Sequence, residues 1–296
     1  MVDITKLRGI ALEGGGVAGI GHGGAVNIID KIGVYRQLTH FAGSSAGSMV
    51  AALMACRIPT DKLKEILLEF DFRLLEDNSW FVGQDIYRLW SEYGWNRGQA
   101  IEEVFGQILQ KYVGDSDLTY KQVEEKFGSF LITTSTDVGM RETIYRSPET
   151  SPDLPIKRGI RESASIPIFY CPVRADGTMY VDGGLLNNYP IRKLYEYLKP
   201  EEVFGCKLIS KSDRTTCRRS QQPNLPRNLT SYVKLIITML HDLNLKAHVD
   251  EEDWKRTIKI DVGTVSATDF DISKEGKLAL IGSGEAAARK FFDYNL

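Results

Sequence analysis

Two segments near the N-terminus show the same arrangement of apolar runs and glycine-rich turns. In each, a short apolar run leads into a glycine-rich turn, and apolar residues then recur at helical spacing. The two copies cover residues 8–12, 14–16 and 20–32, and residues 38–42, 43–47 and 48–56. This pattern predicts strand, tight turn and helix twice in succession, which favours a parallel sheet with helices on its faces.

The remaining apolar runs predict further strands and helices. Predicted strands cover residues 130–138, 142–145 (its hairpin partner), 179–181, 203–209 and 257–262. Predicted helices cover residues 61–70, 99–112, 156–165, 230–248 and 273–292. Thr60 is a residue type that favours the N-cap position, so we expect it to cap the helix that follows it. Residues 71–97 are rich in aromatic side chains without a regular period, so we expect an irregular segment there.

Composition narrows the class of protein. The 296 residues are 43% hydrophobic and 26% charged, with a formal net charge of −2. These values are ordinary for a globular protein and exclude disorder over most of the chain. The near-neutral charge argues against a general nucleic-acid binder, which needs a surplus of basic residues. We find no repeat and no break in composition, so we expect one domain over residues 1–296, with a core at about 8–200 that residues 201–296 complete.

Cysteine spacing and apolar run length bear on the cellular setting. The four cysteines lie far apart, at positions 56, 171, 206 and 217, so neither a disulfide scaffold nor a zinc site is predicted. Residues 1–8 lack the apolar region of a signal peptide. No apolar run approaches the ~20 residues of a membrane span. We expect reduced cysteines, a cytoplasmic location and, if the protein meets a membrane, contact from the surface.

The first candidate for chemistry is the motif Gly43-x-Ser45-x-Gly47. A serine nucleophile works best on a sharp turn between a strand and a helix, which exposes its hydroxyl and crowds the flanking residues until only glycine fits. The N-terminus of the following helix directs backbone N–H groups toward the reaction centre. The alternative is a chance glycine–serine loop.

The second candidate is the glycine-rich turn Gly14-Gly15-Gly16-Val17-Ala18-Gly19. Successive glycines before a helix can present N–H groups to a phosphate or to the oxyanion of an acyl-transfer intermediate. The spacing also matches a dinucleotide fingerprint, but no acidic residue ends the next predicted strand, where that fingerprint requires one. A plain structural turn is the remaining alternative.

The third candidate is Asp182, followed by Gly183 and Gly184, at the tip of a predicted strand. A carboxylate held on a rigid turn can act as general base toward a serine hydroxyl. Asp-Gly is also a frequent turn dipeptide without any catalytic role.

The three motifs together, in this order, resemble the patatin-like phospholipase family. The stretches Ser163-Ala164-Ser165-Ile166-Pro167 and 181–190 are typical of that family as well, and the resemblance covers about residues 8–200. It implies an α/β fold of three layers, with a mostly parallel sheet flanked by helices. It also implies a lipid acyl hydrolase of the phospholipase A or lysophospholipase type that needs no cofactor and no metal.

The resemblance assigns a role to each motif. Ser45 is the expected nucleophile and Asp182 the expected proton acceptor. Gly14, Gly15, Gly16 and Gly19 are expected to form the oxyanion hole, with Gly43, Gly47, Gly183 and Gly184 supporting the turns. Many members carry Arg or Lys where this chain has Ala18, which removes a charge but leaves the backbone donors.

Three alternatives remain open at this point. His241 or His248 follows Asp182 and allows a Ser–Asp–His order, although both lie on a predicted helix, where packing is the default role for a histidine. A catalytically silent storage or interaction protein would keep the fold without the chemistry. The aromatic segment 71–97 and the amphipathic stretch 229–245 are candidates for a lid or acyl-binding wall, against the default of core packing. The expected partner is a phospholipid or other lipid ester at a membrane surface.

Overall fold

Eight strands form the central sheet of the computed structural model, which describes residues 2–77, 82–210 and 250–293. A separate pair of short strands lies beside it. The strands are β1 (Gly9–Leu12), β2 (His40–Ser44), β3 (Gly94–Asn96), β4 (Phe130–Asp137), β5 (Glu142–Arg146), β6 (Ile168–Tyr170), β7 (Val173–Ala175), β8 (Thr178–Asp182), β9 (Val203–Ser210) and β10 (Thr257–Gly263).

Six of the described helices lie where the sequence predicts them, near residues 20–32, 48–56, 61–70, 99–112, 156–165 and 273–292. Four others were not predicted, and the helix predicted at 230–248 lies outside the described residues. The α-helices are α1 (Ile20–Lys31), α2 (Ala46–Ala55), α3 (Thr60–Glu69), α4 (Val82–Ser91), α5 (Gln99–Val113), α6 (Tyr120–Phe127), α7 (Ile156–Ser163), α8 (Gly184–Asn187), α9 (Glu251–Lys255) and α10 (Lys274–Phe292). Short 3-10 turns cover Gly16–Gly19, Tyr35–Gln37, Phe72–Leu75, Pro190–Glu196 and Pro200–Glu202.

The central sheet is mostly parallel. Its order is β10-β9-β1-β2-β4-β8-β7, with β5 paired to β4 outside this sequence. The five strands from β10 to β4 run parallel, whereas β8, β7 and β5 pair antiparallel. The predicted α/β fold with a mostly parallel sheet flanked by helices is therefore confirmed.

Apolar side chains of the sheet alternate between two hydrophobic clusters. Ile10 and Leu12 belong to the larger cluster, which includes side chains of α1, α2 and α10, while Ala11 between them belongs to the smaller one. The smaller cluster includes Ile191 and Leu194 of the 3-10 turn at Pro190–Glu196. Because side chains of successive strand residues point to opposite faces, the sheet lies between two apolar layers.

Two local predictions are wrong. Helix α3 begins at Thr60 itself, with Pro59 at the N-cap; the Thr60 hydroxyl donates to Asp30 Oδ2 at 2.7 Å instead of capping the helix. The segment 71–97 is also more regular than expected, because it contains α4 and the strand β3, which pairs in parallel with β6. In both cases the local structure depends on a partner that is remote in sequence, Asp30 for Thr60 and β6 for β3.

Candidate active site

Ser45 lies in a sharp turn between β2 and α2. Its φ of 50° and ψ of −126° place a non-glycine residue in a sparsely populated region of backbone conformation, which costs about 1–3 kcal/mol. A β-carbon on Gly43 would lie 2.3 Å from the Gly47 carbonyl oxygen, and one on Gly47 would lie 2.3 Å from the Leu12 carbonyl oxygen. The turn therefore requires glycine on both sides of the serine.

Hydrogen bonds hold the backbone of Ser45 on both sides. Its N–H donates to Ser163 Oγ at 2.9 Å, and its carbonyl oxygen accepts from the Ser48 hydroxyl at 2.6 Å and the Ser48 N–H at 2.9 Å. Ser45 itself is only 6% exposed. Two further serines, Ser48 nearby in the sequence and Ser163 from α7, therefore hold the strained turn.

Asp182, the last residue of β8, is buried beside Ser45. Its Oδ1 accepts from the Gly184 N–H at 2.7 Å, and Oδ2 has no hydrogen bond of standard geometry among the residues that the structure describes. Burial raises the pKa of Asp182 to about 6, although the nearby Ser45 hydroxyl and the Gly184 N–H both lower it. The arrangement places a serine hydroxyl next to a carboxyl group whose pKa is raised above its ordinary value.

The sheet register explains why these two residues meet. Ser44 pairs with Thr134 across β2 and β4, and the next residue of β4, Ser135, pairs with Asp182 across β4 and β8. Ser45 and Asp182 therefore emerge at the same level of the sheet, two strands apart. A β-carbon on Gly183 would lie 2.2 Å from Thr134 Oγ1, so the turn after Asp182 also requires glycine to pack against β4.

The glycine-rich turn lies directly against the nucleophile. A β-carbon on Gly14 would lie 2.9 Å from the Ser45 β-carbon, and one on Gly19 would lie 2.8 Å from that of Ala46. The Gly14 N–H donates to the Asn188 carbonyl at 3.1 Å, and Asn188 Nδ2 donates back to the Gly14 carbonyl at 3.0 Å.

The four amides that follow Gly14, those of residues 15–18, fall into two groups. The N–H groups of Val17 and Ala18 donate to the Ala267 and Gly15 carbonyl oxygens, at 3.0 and 3.2 Å. The N–H groups of Gly15 and Gly16 make no such backbone bond within the described ranges. The Gly14 amide, in contrast, is already bonded to the Asn188 carbonyl.

The residue before the turn, Glu13, anchors it to β9. Glu13 is buried; its Oε1 pairs with Lys207 Nζ, and its Oε2 accepts from the Leu208 N–H at 2.7 Å. His22 Nε2 donates to the Glu13 carbonyl at 2.8 Å. Burial lowers the pKa of His22 to about 4, so the ring is neutral at pH 7.

Sequence reasoning did not single out Glu13, Lys207, Asn188 or the individual role of Ser163. Of these four residues, only Glu13 could have been noticed from its local sequence, because it immediately precedes the glycines. The other three residues act through contacts with segments that lie far away along the chain.

The described histidines, His22 and His40, have partners other than Ser45 and Asp182. His22 binds the Glu13 carbonyl, and His40 begins β2 and stacks on Phe130, with ring centroids 5.3 Å apart. His241, His248 and the stretch 229–245 lie outside the described residues, so the geometry does not test the Ser–Asp–His alternative.

The described part of the chain contains neither a candidate metal site nor a candidate membrane-spanning helix. Within it, no group of three or more His, Cys, Asp or Glu side chains is arranged to hold a metal ion. No helix in those same ranges combines the length and apolar character needed to cross a membrane. Cys56, Cys171 and Cys206 are buried free thiols, and Cys217 is not described.

Similar proteins exist in bacteria and viruses. Protein YqhO of Bacillus subtilis is 27% identical over 291 residues, which cover 94% of this chain and 96% of that protein. The probable lipid hydrolase 463L of invertebrate iridescent virus 6 is 29% identical over 194 residues, or 64% of this chain. The match spans 63% of the viral protein, less than two thirds of its length.

A solved structure shares the fold, and a family model covers the site. The crystal structure of VipD from Legionella pneumophila superposes with a TM-score of 0.65 over 97% of this chain and 67% of that one, at 19% identity. The model of the patatin-like phospholipase family matches residues 10–195, which include both Ser45 and Asp182. This match confirms the resemblance predicted from the motifs: the chain belongs to the patatin-like phospholipase family.

Proposed function

We propose that this chain is a lipid acyl hydrolase that cleaves fatty acyl esters through a Ser45–Asp182 dyad. The observation that carries the proposal is the buried Asp182 carboxyl beside the Ser45 hydroxyl, with a pKa raised to about 6. A base with such a pKa is largely ionised at pH 7, yet basic enough to accept a proton from a reacting hydroxyl. Family membership and the viral relative, named a probable lipid hydrolase, support a lipid ester as substrate.

In the first half of the reaction, Ser45 Oγ attacks the ester carbonyl carbon while its proton passes to the Asp182 carboxylate. Oδ2 is suited to accept it, because Oδ1 is already bonded to the Gly184 N–H. As the tetrahedral intermediate collapses, Asp182 returns the proton to the departing alcohol oxygen. This leaves an acyl ester on Ser45 and an ionised carboxylate.

In the second half, water replaces the alcohol. Asp182 takes a proton from the water as its oxygen attacks the acyl-enzyme carbonyl. It then protonates Ser45 Oγ as that oxygen departs. The fatty acid leaves, and both residues return to their starting states. No cofactor or metal takes part in this scheme.

The negative charge of the tetrahedral intermediate falls on the former carbonyl oxygen. We assign its stabilisation to the N–H groups of Gly15 and Gly16, because the Gly14 amide is bonded to Asn188. An oxyanion donor of this kind is worth about 3 kcal/mol in the transition state. Since these donors are backbone groups, Ala18 in place of a basic residue does not remove them.

The test combines an active-site probe with product analysis. We expect a fluorophosphonate to label Ser45 in the native chain. Ser45→Ala should abolish labelling, and Asp182→Asn, which keeps the shape of the side chain, should slow it by about 10³-fold or more. Mass spectrometry of the products from phospholipids and lysophospholipids would identify the lipid class and the acyl position cleaved.

His248→Ala is the matched control in this experiment. The dyad predicts that this variant keeps its labelling rate. Loss of labelling in His248→Ala together with survival in Asp182→Asn would replace the dyad by a Ser–Asp–His site. Absence of labelling in the folded native chain would show that the protein is catalytically silent.

A further inference from the structure

We propose that Ser163 is a positioning residue that sets the geometry of the dyad by holding the nucleophile turn with its side chain and the base turn with its backbone. The inference deepens the proposed function and rests on it. Ser163 is the last residue of α7 and is fully buried. It lies 118 residues from Ser45 along the chain, so only the tertiary fold brings the two together.

The side chain of Ser163 acts on the nucleophile. Its Oγ accepts the Ser45 N–H at 2.9 Å. Ser45 carries a φ of 50°, a conformation that a non-glycine residue keeps only when its surroundings hold it there. The Ser45 carbonyl is held locally by Ser48, within the same turn, whereas Ser163 supplies the contact to the N–H from another element.

The backbone of the same segment acts on the base. The Ser163 carbonyl accepts the Gly183 N–H at 3.3 Å, and the Ser165 carbonyl accepts the Asp182 N–H at 2.9 Å. Asp182 and Gly183 are therefore bonded to a three-residue segment that also bonds Ser45. One short piece of chain thus spans both halves of the dyad.

This segment is itself rigidly held. Arg161, only 4% exposed, donates through Nη1 to Ser165 Oγ and through Nη2 to the carbonyl oxygens of Cys171 and Arg97. Glu162 pairs with Arg146 of β5 at 2.9 Å. These buried bonds tie the end of α7 to β5 and to the region around the small β3–β6 sheet. The segment can therefore impose a position on Ser45 and Asp182.

Removal of the Ser163 hydroxyl should misplace the nucleophile without unfolding the chain. The Ser45 N–H would lose its acceptor, and the strained turn would relax away from the orientation that presents Oγ to Asp182. A displacement of about 1 Å in a reacting group can slow a reaction by about 10²-fold. Because the substrate contacts would remain, the loss should fall on kcat and leave KM nearly unchanged.

The experiment compares Ser163→Ala and Ser163→Cys with the native chain. Cysteine fills nearly the same space as serine, but its sulfur is a weak acceptor. A role in packing alone would leave the cysteine variant at the native rate, whereas positioning by a hydrogen bond predicts the order serine, cysteine, alanine. The control is Ser129→Ala, another fully buried serine, whose hydroxyl donates to the Phe127 carbonyl just before β4 and has no other partner among the described residues.

Three quantities would be measured for each variant: kcat and KM on a soluble short-chain ester, hydrogen exchange of the Ser45 amide, and the unfolding temperature. We expect Ser163→Ala to lower kcat by about 10²-fold and to speed exchange of the Ser45 amide at least tenfold. Ser163→Cys should lie between Ser163→Ala and the native chain, and Ser129→Ala should match the native chain. If the alanine variant does not fold, the comparison of cysteine with serine decides.

Each result bears separately on the two proposals. Native kcat and native amide exchange in Ser163→Ala or Ser163→Cys would overturn the role of Ser163 while leaving the dyad intact. If the native chain proves inactive, the proposed function fails. The exchange measurement then decides alone whether Ser163 holds the turn, and an unchanged rate would overturn that as well.

Discussion

At the scale of single residues, burial decides the chemistry of Asp182. Its carboxyl would ordinarily have a pKa of 3.8, and enclosure among β4, β8 and the Ser45 turn raises that pKa to about 6. The same effect works in the opposite direction on His22, whose pKa falls to about 4 because burial penalises the charged ring. Two groups near the glycine-rich turn are thus tuned by desolvation rather than by a charged partner.

This shift predicts the pH profile of the reaction. The proposed base, Asp182, would accept a proton only when ionised, so acylation of Ser45 should be half-maximal near pH 6, where the pKa of Asp182 lies. Below that value the rate should fall by about tenfold per pH unit, and above about pH 7 it should be nearly constant. The measurement is the rate of fluorophosphonate labelling from about pH 4 to about pH 9, with circular dichroism as a control for folding. A midpoint near the ordinary pKa of 3.8 would contradict the assignment, because it would mean an unperturbed carboxylate.

At the scale of elements, a buried ion pair fixes the glycine-rich turn to the sheet. Glu13 follows β1 and Lys207 belongs to β9, its neighbour in the sheet; both side chains are buried. Lys207 also lies over the ring of Trp254, 5.7 Å from its centroid. The proposed oxyanion role requires the turn to hold its amides toward Ser45, so this link between adjacent strands would serve the position of the turn as well as its stability.

Breaking the pair on one side should cost more than removing both charges. Lys207→Met removes the buried cation that pairs with Glu13 and should lower the free energy of unfolding by about 3–5 kcal/mol. The double variant Glu13→Gln, Lys207→Met removes both charges and keeps an acceptor for the Leu208 N–H, so much of that loss should be recovered. Urea denaturation of both single variants and the double variant measures this coupling. Strictly additive losses would mean that the two charges do not interact.

At the scale of the whole molecule, described strands and a helix beyond residue 200 pack against the part of the fold that carries the site. Strands β9 and β10 extend the parallel sheet beyond β1, and α10 packs along α1, the helix that follows the glycine-rich turn. The helices approach so closely that a β-carbon on Gly284 would lie 1.9 Å from the Gly21 carbonyl oxygen. One on Gly24 would lie 1.9 Å from the Ile281 carbonyl oxygen. Glycine is thus needed on both helices at this contact.

Two glycines of α10 offer a matched test of this packing. Gly284→Ala should force α10 away from α1 and destabilise the chain by roughly 2 kcal/mol. Gly282 lies on the exposed side of the same helix, and a β-carbon there would have no neighbouring atom within 4 Å. Gly282→Ala should therefore add up to about 1 kcal/mol of stability through helix propensity. Thermal unfolding with a van't Hoff analysis compares the two. Equal effects at both positions would show that the α1–α10 contact is looser than the structure indicates.

Local chemistry made the two strand–turn–helix units predictable from the sequence. Gly43 and Gly47 flank a turn whose crowding no other residue accommodates, and the strand predicted at residues 130–138 followed from the buried-strand pattern of its own residues. The prediction that Thr60 caps α3 was wrong because its hydroxyl donates a hydrogen bond to Asp30, thirty residues earlier in the chain. The segment 71–97 was misjudged because β3 exists only through its pairing with β6.

The sequence by itself determined the two strand–turn–helix units, the fold class and the motifs around Ser45 and Asp182, because turn geometry and hydrophobic periodicity depend on neighbouring residues. Only the tertiary structure decided that Ser163 accepts a hydrogen bond from the Ser45 N–H, that Lys207 pairs with Glu13, and that the Gly14 N–H donates to the Asn188 carbonyl. These contacts join residues more than a hundred positions apart. Their partners are selected by sheet register and packing, which no local pattern encodes.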